Sequence, residues 1–437
     1  MRTESLVLAA LLAIGGSADA RALTLNEAVE KALAANPAVQ ASRLDALAAE
    51  QRTAEARGRR FGAVDLVGNY SNFESPRLVR PMSIDLFKNP QAGFSQLPWD
   101  SNQVHYGVTY ELPLLAAGGL QEGDRIARLA QSAAEHTAQF SLREIRTTVS
   151  AAYRNALLAR HTVTAARLFR DALAKDEADA QLRVKIGASA PVDAAKLTFA
   201  LRGAEAQVTA VETQERTAQA VLAALLGEEP PPNGYELVDL PAEPAPAAAA
   251  TVPEALASRL DLAAVRDATR VSERKQALTR DAFGPHLSLV GNWMRNDAPS
   301  LPTALDTHEF YVMFKLPLFD GMTRVHAMRE ADFNLRAARE RERAKELQVA
   351  AQVTDAQGRL AAARAQLAAG TAQRALGREV ARVEHLKLEQ GTGRVEDYLT
   401  ARAQELAGET SYWAGLYAYQ SAVDYLNFVV GREGVER

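Results

Sequence analysis

Residues 104–115 read VHYGVTYELPLL, and residues 310–319 read FYVMFKLPLF. Both alternate apolar and polar residues before running into Leu-Pro-Leu. In the first, Val104, Tyr106, Val108, Tyr110 and Leu112 fall on one side of an extended chain, with His105, Gly107, Thr109 and Glu111 on the other. In the second, Phe310, Val312, Phe314, Leu316 and Leu318 oppose Glu309 and Lys315. A period of two is the pattern of a strand whose two faces meet different surroundings. After each Leu-Pro-Leu comes a long helical pattern, over 118–186 and again over 321–389.

The chain reads as a duplication. Leu112-Pro113-Leu114 recurs as Leu316-Pro317-Leu318, an offset of 204 (316 − 112). Gly187 and Asp193 recur at the same offset as Gly391 and Asp397. LNEAVEKALAANPAV (25–39) is echoed by VPEALASRLDLAAV (252–265), and FGAVDLVGNY (61–70) by FGPHLSLVGNW (283–293). Self-similarity at a fixed period in the same order marks two copies of one unit. The reading divides the chain into a leader over 1–20, a first repeat over 21–226, a connector over 227–251 and a second repeat over 252–437. The first repeat is expected as helix 26–56, strands 62–73 and 103–114, helix 118–186, a tip, and helix 191–226. The second is expected as helix 253–281, strands 285–295 and 309–319, helix 321–389, a tip, and helix 394–430. Prolines and glycines in GEEPPPNGYELVDLPAEPAPAAAAT (227–251) rule out a helix there. Tyr235, Leu237, Val238 and Leu240 give that connector apolar anchors.

About 9–11 residues of tilted strand cross the hydrocarbon of a bilayer, and all four strands have that reach. Tyr70, Tyr106, Tyr110, Trp293 and Phe310 suit an interfacial aromatic girdle. The bland alternative is a small soluble antiparallel sheet packed on helices. Four strands do not close a barrel, and an open edge in lipid leaves backbone groups unpaired at several kcal/mol each. Strands in a membrane must therefore be pooled between copies: two would supply about eight strands and three about twelve, the larger number leaving room for a water-filled lumen.

Helices of this length span roughly 100 Å at about 1.5 Å per residue. In the second, Val353, Leu360 and Leu367 keep a spacing of seven, and Leu376, Val380 and Val383 continue along an adjoining seam. Seven-residue spacing signals a coiled coil. Alanines 361–363, 365, 368 and 369 let neighbouring backbones come close. Pro113 and Pro317 are expected to end the strand ladders, with Gly118, Gly119 and Gly321 easing the turn into the helix.

Composition agrees with helices and thin seams. The 437 residues are 47% hydrophobic and 24% charged but only 6% aromatic, with no cysteine and a formal net charge of −4. That balance gives no general reason to bind nucleic acid. MRTESLVLAALLAIGGSADA (1–20) has the form of a secretory signal ending in a small-x-small site, so a mature chain is expected to begin near Arg21. No later stretch is apolar enough for a transmembrane helix. There is no phosphate-binding loop, no H-E-x-x-H, no G-x-S-x-G and no thiol, which argues against an enzyme. The histidines are scattered without ligand spacing, and His105 and His286 are expected on the wet faces of strands. Glu122 and Asp124 sit near a helix start, where solvation or compensation of the helix dipole explains them.

Together these features resemble the TolC-like outer membrane factors of Gram-negative bacteria. LTLNEAVEKALAANPAVQASR (23–43), the Leu-Pro-Leu turns, the duplication and the glycine-x5-aspartate tips carry the resemblance over essentially the whole chain after the leader. It implies a mainly α fold with a small β part: long helical hairpins forming a periplasmic α-barrel, continuous with a barrel of four strands per protomer in a homotrimer. It further implies an outer-membrane location in contact with lipid, a periplasmic adaptor and an inner-membrane transporter as partners, and no cofactor or bound metal. The implied role is a passive exit duct for drugs or metal ions; a channel for secreted polypeptides is the alternative. A coiled-coil structural protein of the envelope is the rival from another class. Gly187, Asp193, Gly391, Arg394, Asp397 and Thr400 mark the tips, where the resemblance implies the entrance, gate and docking surface. Asp397 matches an entrance aspartate of the family, but a second such aspartate is Thr400 here and the family's tip arginine is Gly393. Arg394 is the candidate to restrain the gate by bonding Asp193 or a neighbouring carbonyl. The alternative for Asp193 and Asp397 is helix N-capping.

Overall fold

The computed structural model describes residues 22–79, 97–187, 189–241 and 249–432. The proposed leader lies outside them. The element order repeats: α1 (Leu25–Ala35), α2 (Pro37–Gly58), β1 (Ala63–Leu78), β2 (Trp99–Ala116), α3 (Gly119–Lys185) and α4 (Pro191–Leu226) come first. They are followed by α5 (Val252–Ser258), α6 (Leu260–Asp281), β3 (His286–Asp297), β4 (Leu305–Lys315), α7 (Thr323–Glu389) and α8 (Val395–Val429). No helix among the described residues is long and apolar enough to cross a membrane.

Several boundaries differ from expectation for local reasons. The first helix is broken at Asn36, whose backbone is extended before Pro37. Its side chain accepts from the Ala38 N–H at 2.9 Å and donates to the Leu225 carbonyl at 2.8 Å. The corresponding helix of the second repeat breaks at Arg259, also extended. Pro113 does not end its ladder: pairing with β3 continues to Ala116 after a register shift between Pro113 and Leu115. Pro317 does lie beyond its strand, which ends at Lys315.

The chain forms two compact units that cut across the repeats: residues 1–40, 141–257 and 351–437 make one, and 41–140 with 258–350 the other. The second holds the single antiparallel sheet, in the order β1-β2-β3-β4.

The first unit is built on helix seams. Its largest cluster gathers Ala28, Val29 and Ala32 of α1, Val149, Tyr153 and Leu157 of α3, and Leu222 and Leu226 of α4 around Leu237 of the connector. Leu237 of the connector pairs with Leu23 in a parallel bridge. Tyr153 locks the crossing. Its hydroxyl stands 2.7 Å from the Leu23 carbonyl and 2.8 Å from that of Val238. Burial raises the phenol to about 12, so it stays protonated. Thr24 starts α1 with a capping box: its hydroxyl accepts from the Glu27 N–H, and the Glu27 carboxylate accepts from the Thr24 N–H at 2.9 Å.

Helices α7 and α8 approach more closely than their alanines suggested. A Cβ placed on Gly370 would sit 2.7 Å from the Ser411 carbonyl oxygen, and one on Gly408 would sit 2.7 Å from that of Gln373. On Gly377 it would lie 3.1 Å from the Gln404 carbonyl oxygen, and on Gly415 2.8 Å from Leu367 Cα. Each helix thus offers a glycine every seven residues, and the backbones pack against one another. At the repeat offset of 204 these positions correspond to Ala166, Ala204, Leu173 and Val211, all buried. The first hairpin fills its seam with side chains where the second uses glycine.

Candidate functional site

The sheet separates two chemistries. Its register lines up Val64, Tyr110, Gly291 and Phe310 in one row and Leu66, Val108, Trp293 and His308 in another on the same face. The rows between them, on the opposite face, are Asp65, Thr109, Asn292 and Glu309, then Val67, Gly107, Met294 and Thr307, then Asn69, His105, Asn296 and Leu305. The apolar face is bare: Leu66 is 84% and Phe310 79% exposed. The polar face is knitted together, His105 Nδ1 lying 2.8 Å from Asn296 Oδ1 and its Nε2 3.2 Å from Gln103 Oε1. His105 and His286 fall on this wet face, and no metal-binding group of side chains occurs among the described residues. Among the described residues, the outer strands β1 and β4 each pair along one edge only. On the apolar face the next row ends in the paired Arg295 and Asp306; below it, the sheet with its two open edges suits lipid and calls for a further strand.

Glycines with a left-handed backbone stand in the turns from strand to helix. Gly118 (φ 81°) precedes α3, and a Cβ there would lie 2.6 Å from Asp281 Oδ2. Gly321 (φ 67°) precedes α7. Glu122 and Asp124 are not solvated: both are buried, the Asp124 side chain only 4% exposed. Burial pushes the Asp124 carboxyl up, but the hydrogen bond from Arg128 and the charges of Arg128, Arg60 and Arg57 hold it below its usual value. Desolvation without a partner would be costly, so the arginines explain its position.

The hairpins turn at Gly187 and Gly391, both with φ 72° and open space around them. Gly393 closes the second tip by donating to the Lys387 carbonyl at 3.0 Å. A Cβ there would meet Leu388 N at 2.9 Å, leaving no room for a side chain without a backbone shift. Asp193 and Asp397 stand in the first turns of α4 and α8, and neither caps: Ala190 and Arg394 are the N-cap residues, without side-chain cap bonds. Their support of the helices is through the dipole. Thr400 bonds back to the Glu396 carbonyl at 2.8 Å. Arg394 does not bond Asp193. It is exposed, and its field helps lower the Glu396 carboxyl, after the larger effect of the Lys196 hydrogen bond.

The link between hairpins belongs to other residues. Lys196 Nζ donates to Glu396 at 2.5 Å and lies 3.6 Å from Asp193, joining α4 to α8. Deeper, fully buried Tyr398 donates its hydroxyl to Asp176 of α3. Arg402 donates to the same hydroxyl at 2.8 Å and to Glu405 at 2.9 Å. Burial first, then the Asp176 hydrogen bond, pushes the Tyr398 phenol well above its usual value. Leu173, Ala180 and Leu197 pack around it. The sequence held one signal for this: Tyr398 lies seven residues after the tip glycine, in the first turn of α8 and on its buried face. Its partner lies 222 residues away, beyond any spacing argument. Asp397, beside it, is exposed and makes no hydrogen bond or ion pair among the described residues.

Residues 251–432 match the family described as outer membrane efflux protein. No curated protein matches the chain by sequence. Among solved structures, a membrane protein from Pseudomonas aeruginosa aligns with TM-score 0.78 at 20% identity, covering 93% of each chain. The outer membrane channel CmeC of Campylobacter jejuni aligns with TM-score 0.79 at 16% identity, covering 93% of this chain and 85% of its own. The outer membrane protein VceC of Vibrio cholerae aligns with TM-score 0.75 at 15% identity, covering 93% and 96%. The resemblance to TolC-like factors therefore holds by sequence in the second repeat and by fold over nearly the whole chain. The mainly α fold with a small four-stranded sheet is that of these channels.

Proposed function

We propose that this chain is the outer-membrane exit duct of a tripartite efflux pump, passing small molecules delivered by an inner-membrane transporter through a periplasmic adaptor. The observation that carries this is the sheet with one bare apolar face, one polar face and two open edges. Three copies would pool their strands into a twelve-stranded barrel with Asp65, Glu309 and His105 toward water and Leu66, Trp293 and Phe310 toward lipid. The outer membrane efflux family and the fold shared with outer-membrane channels support this location.

The tips form the entrance in this reading. Lys196–Glu396 and the Tyr398–Asp176–Arg402 group hold one hairpin against the other, while three Asp397 carboxylates converge and repel. The Lys196–Glu396 pair is exposed and screened by solvent, so this part of the restraint is weak enough for a docking adaptor to overturn. Gly187, Asp193, Gly391, Arg394 and Thr400 make up the surface offered to it. The test is detergent-solubilised protein measured for mass, then inserted into planar bilayers. A trimer forming small, mostly closed, cation-preferring pores is expected; a soluble monomer stable without detergent overturns the reading. Co-expression with an adaptor and pump should restore export of small molecules, and export of a polypeptide instead would assign the duct to secretion.

A further inference from the structure

We infer that Arg57, Arg60 and Arg128 form a site for the phosphate of an anionic phospholipid at the foot of the first strand pair. The inference rests on the reading of the sheet as membrane-embedded. The three residues come from the end of α2, the turn before β1 and the start of α3, and one buried carboxylate gathers them. Asp124 receives hydrogen bonds from Arg128 and, at 3.1 Å, from Arg60. Arg57 Nε stands 3.5 Å from its other oxygen, an ion-pair distance without a hydrogen bond. Three guanidiniums face a single negative charge. Neighbouring Arg59 adds nothing, being paired with Glu55 at 2.7 Å.

The arginines are far from saturated. Their side chains are 56%, 43% and 56% exposed for Arg57, Arg60 and Arg128. A guanidinium carries five N–H donors in a planar fork suited to phosphate oxygens. Among the described residues, Arg60 and Arg128 each spend one donor on Asp124 and most of the rest meet no protein acceptor. Holding three like charges together is unfavourable unless a further anion completes the set, in a chain whose overall charge is −4.

The surroundings choose lipid over free phosphate. Phe61 directly follows Arg60, is 75% exposed, and is fixed by Tyr110, whose hydroxyl donates to its carbonyl at 2.9 Å. Val64 and Leu66 then continue the apolar face of the sheet. Basic residues, an exposed ring and an apolar face succeed one another within a few residues, the order in which a bilayer presents headgroup, interface and hydrocarbon. A soluble phosphate would use only the first of these.

Detergent-purified protein would be titrated with phosphatidylglycerol, with phosphatidylcholine of the same acyl chains, and with glycerol phosphate, the complexes being counted by native mass spectrometry. Phosphatidylglycerol should be retained preferentially, and glycerol phosphate should not displace it. Arg57→Gln/Arg60→Gln keeps the Arg128–Asp124 bond and should weaken phosphatidylglycerol binding about thirty-fold, for two arginines near a charged surface. Arg57→Lys/Arg60→Lys should keep most of it. Equal retention of the two lipids, full displacement by glycerol phosphate, or parental binding by the glutamine variant would each overturn the site in protein that still requires detergent. Protein that needs no detergent would instead overturn the membrane placement beneath it.

Discussion

Gly408→Ala should destabilise the protein, although alanine is the better helix former. The substitution installs the residue that the first repeat carries at the matching position, Ala204. In a helix interior Gly→Ala gains about 1 kcal/mol. Here the new Cβ would lie 2.7 Å from the Gln373 carbonyl oxygen and 2.9 Å from its carbon. Both are backbone atoms of α7 and cannot swing aside as a side chain could. Ordinary contact begins near 3.5 Å, so the two helices must part by roughly that shortfall of about 0.8 Å. Overpacking of this kind costs about 1–3 kcal/mol, leaving a net loss of up to about 2 kcal/mol. Gly203→Ala and Gly358→Ala serve as controls, since a Cβ at either meets nothing within 4 Å. Thermal unfolding of the three variants in one detergent should move the midpoint down for Gly408→Ala and up for both controls. Gly370→Ala presses on the same helix pair from the other side, so combining it with Gly408→Ala should cost less than the two losses added together. If Gly408→Ala raises the midpoint as the controls do, the backbones of α7 and α8 are not in contact.

Tyr398→Phe removes the hydroxyl that Asp176 and Arg402 share, and should raise single-channel conductance without changing the amount of folded protein; conductance equal to the parent's would place the restraint elsewhere. Lys196→Ala should act in the same direction but more weakly, because its bond to Glu396 is exposed and screened. Asp397→Ala should weaken block by divalent or trivalent cations, and unaltered block would mean that these carboxylates do not line the entrance. His161 stacks on Trp413 with ring centroids 3.7 Å apart and planes within 3°. Burial lowers its pKa, outweighing the opposing pull of Asp239, against which Arg160 also acts. The unfolded chain therefore binds the proton more readily, so this contribution to stability is present above about pH 6.5 and is lost as pH falls below it. His161→Gln should flatten the thermal midpoint between pH 7 and 5, and a parental slope would refute the assignment.

What the sequence by itself determined was everything with a local period. Alternation over a few residues located four strands, and the helix 191–226 came out with its ends in place, because Pro191 and Gly227 mark them. The internal offset of 204 predicted the second hairpin from the first. Turns at Gly118, Gly187, Gly321 and Gly391 were legible because only a left-handed backbone favours glycine there. Interactions across the chain were decided by tertiary structure alone. Asp124 read as a solvated or dipole-compensating carboxylate because nothing within its own helix reveals that Arg57 and Arg60, more than sixty residues earlier, close over it. Arg394 was the apparent gate residue because it sits nearest the tip. The packing of one hairpin on the other instead brought Lys196 to Glu396 and Asp176 to Tyr398. The glycines at 370, 377, 408 and 415 carry no local signal of their role in the two long helices. Only the backbone of the opposite helix, arriving at less than a side chain's width, shows that they are the contact itself.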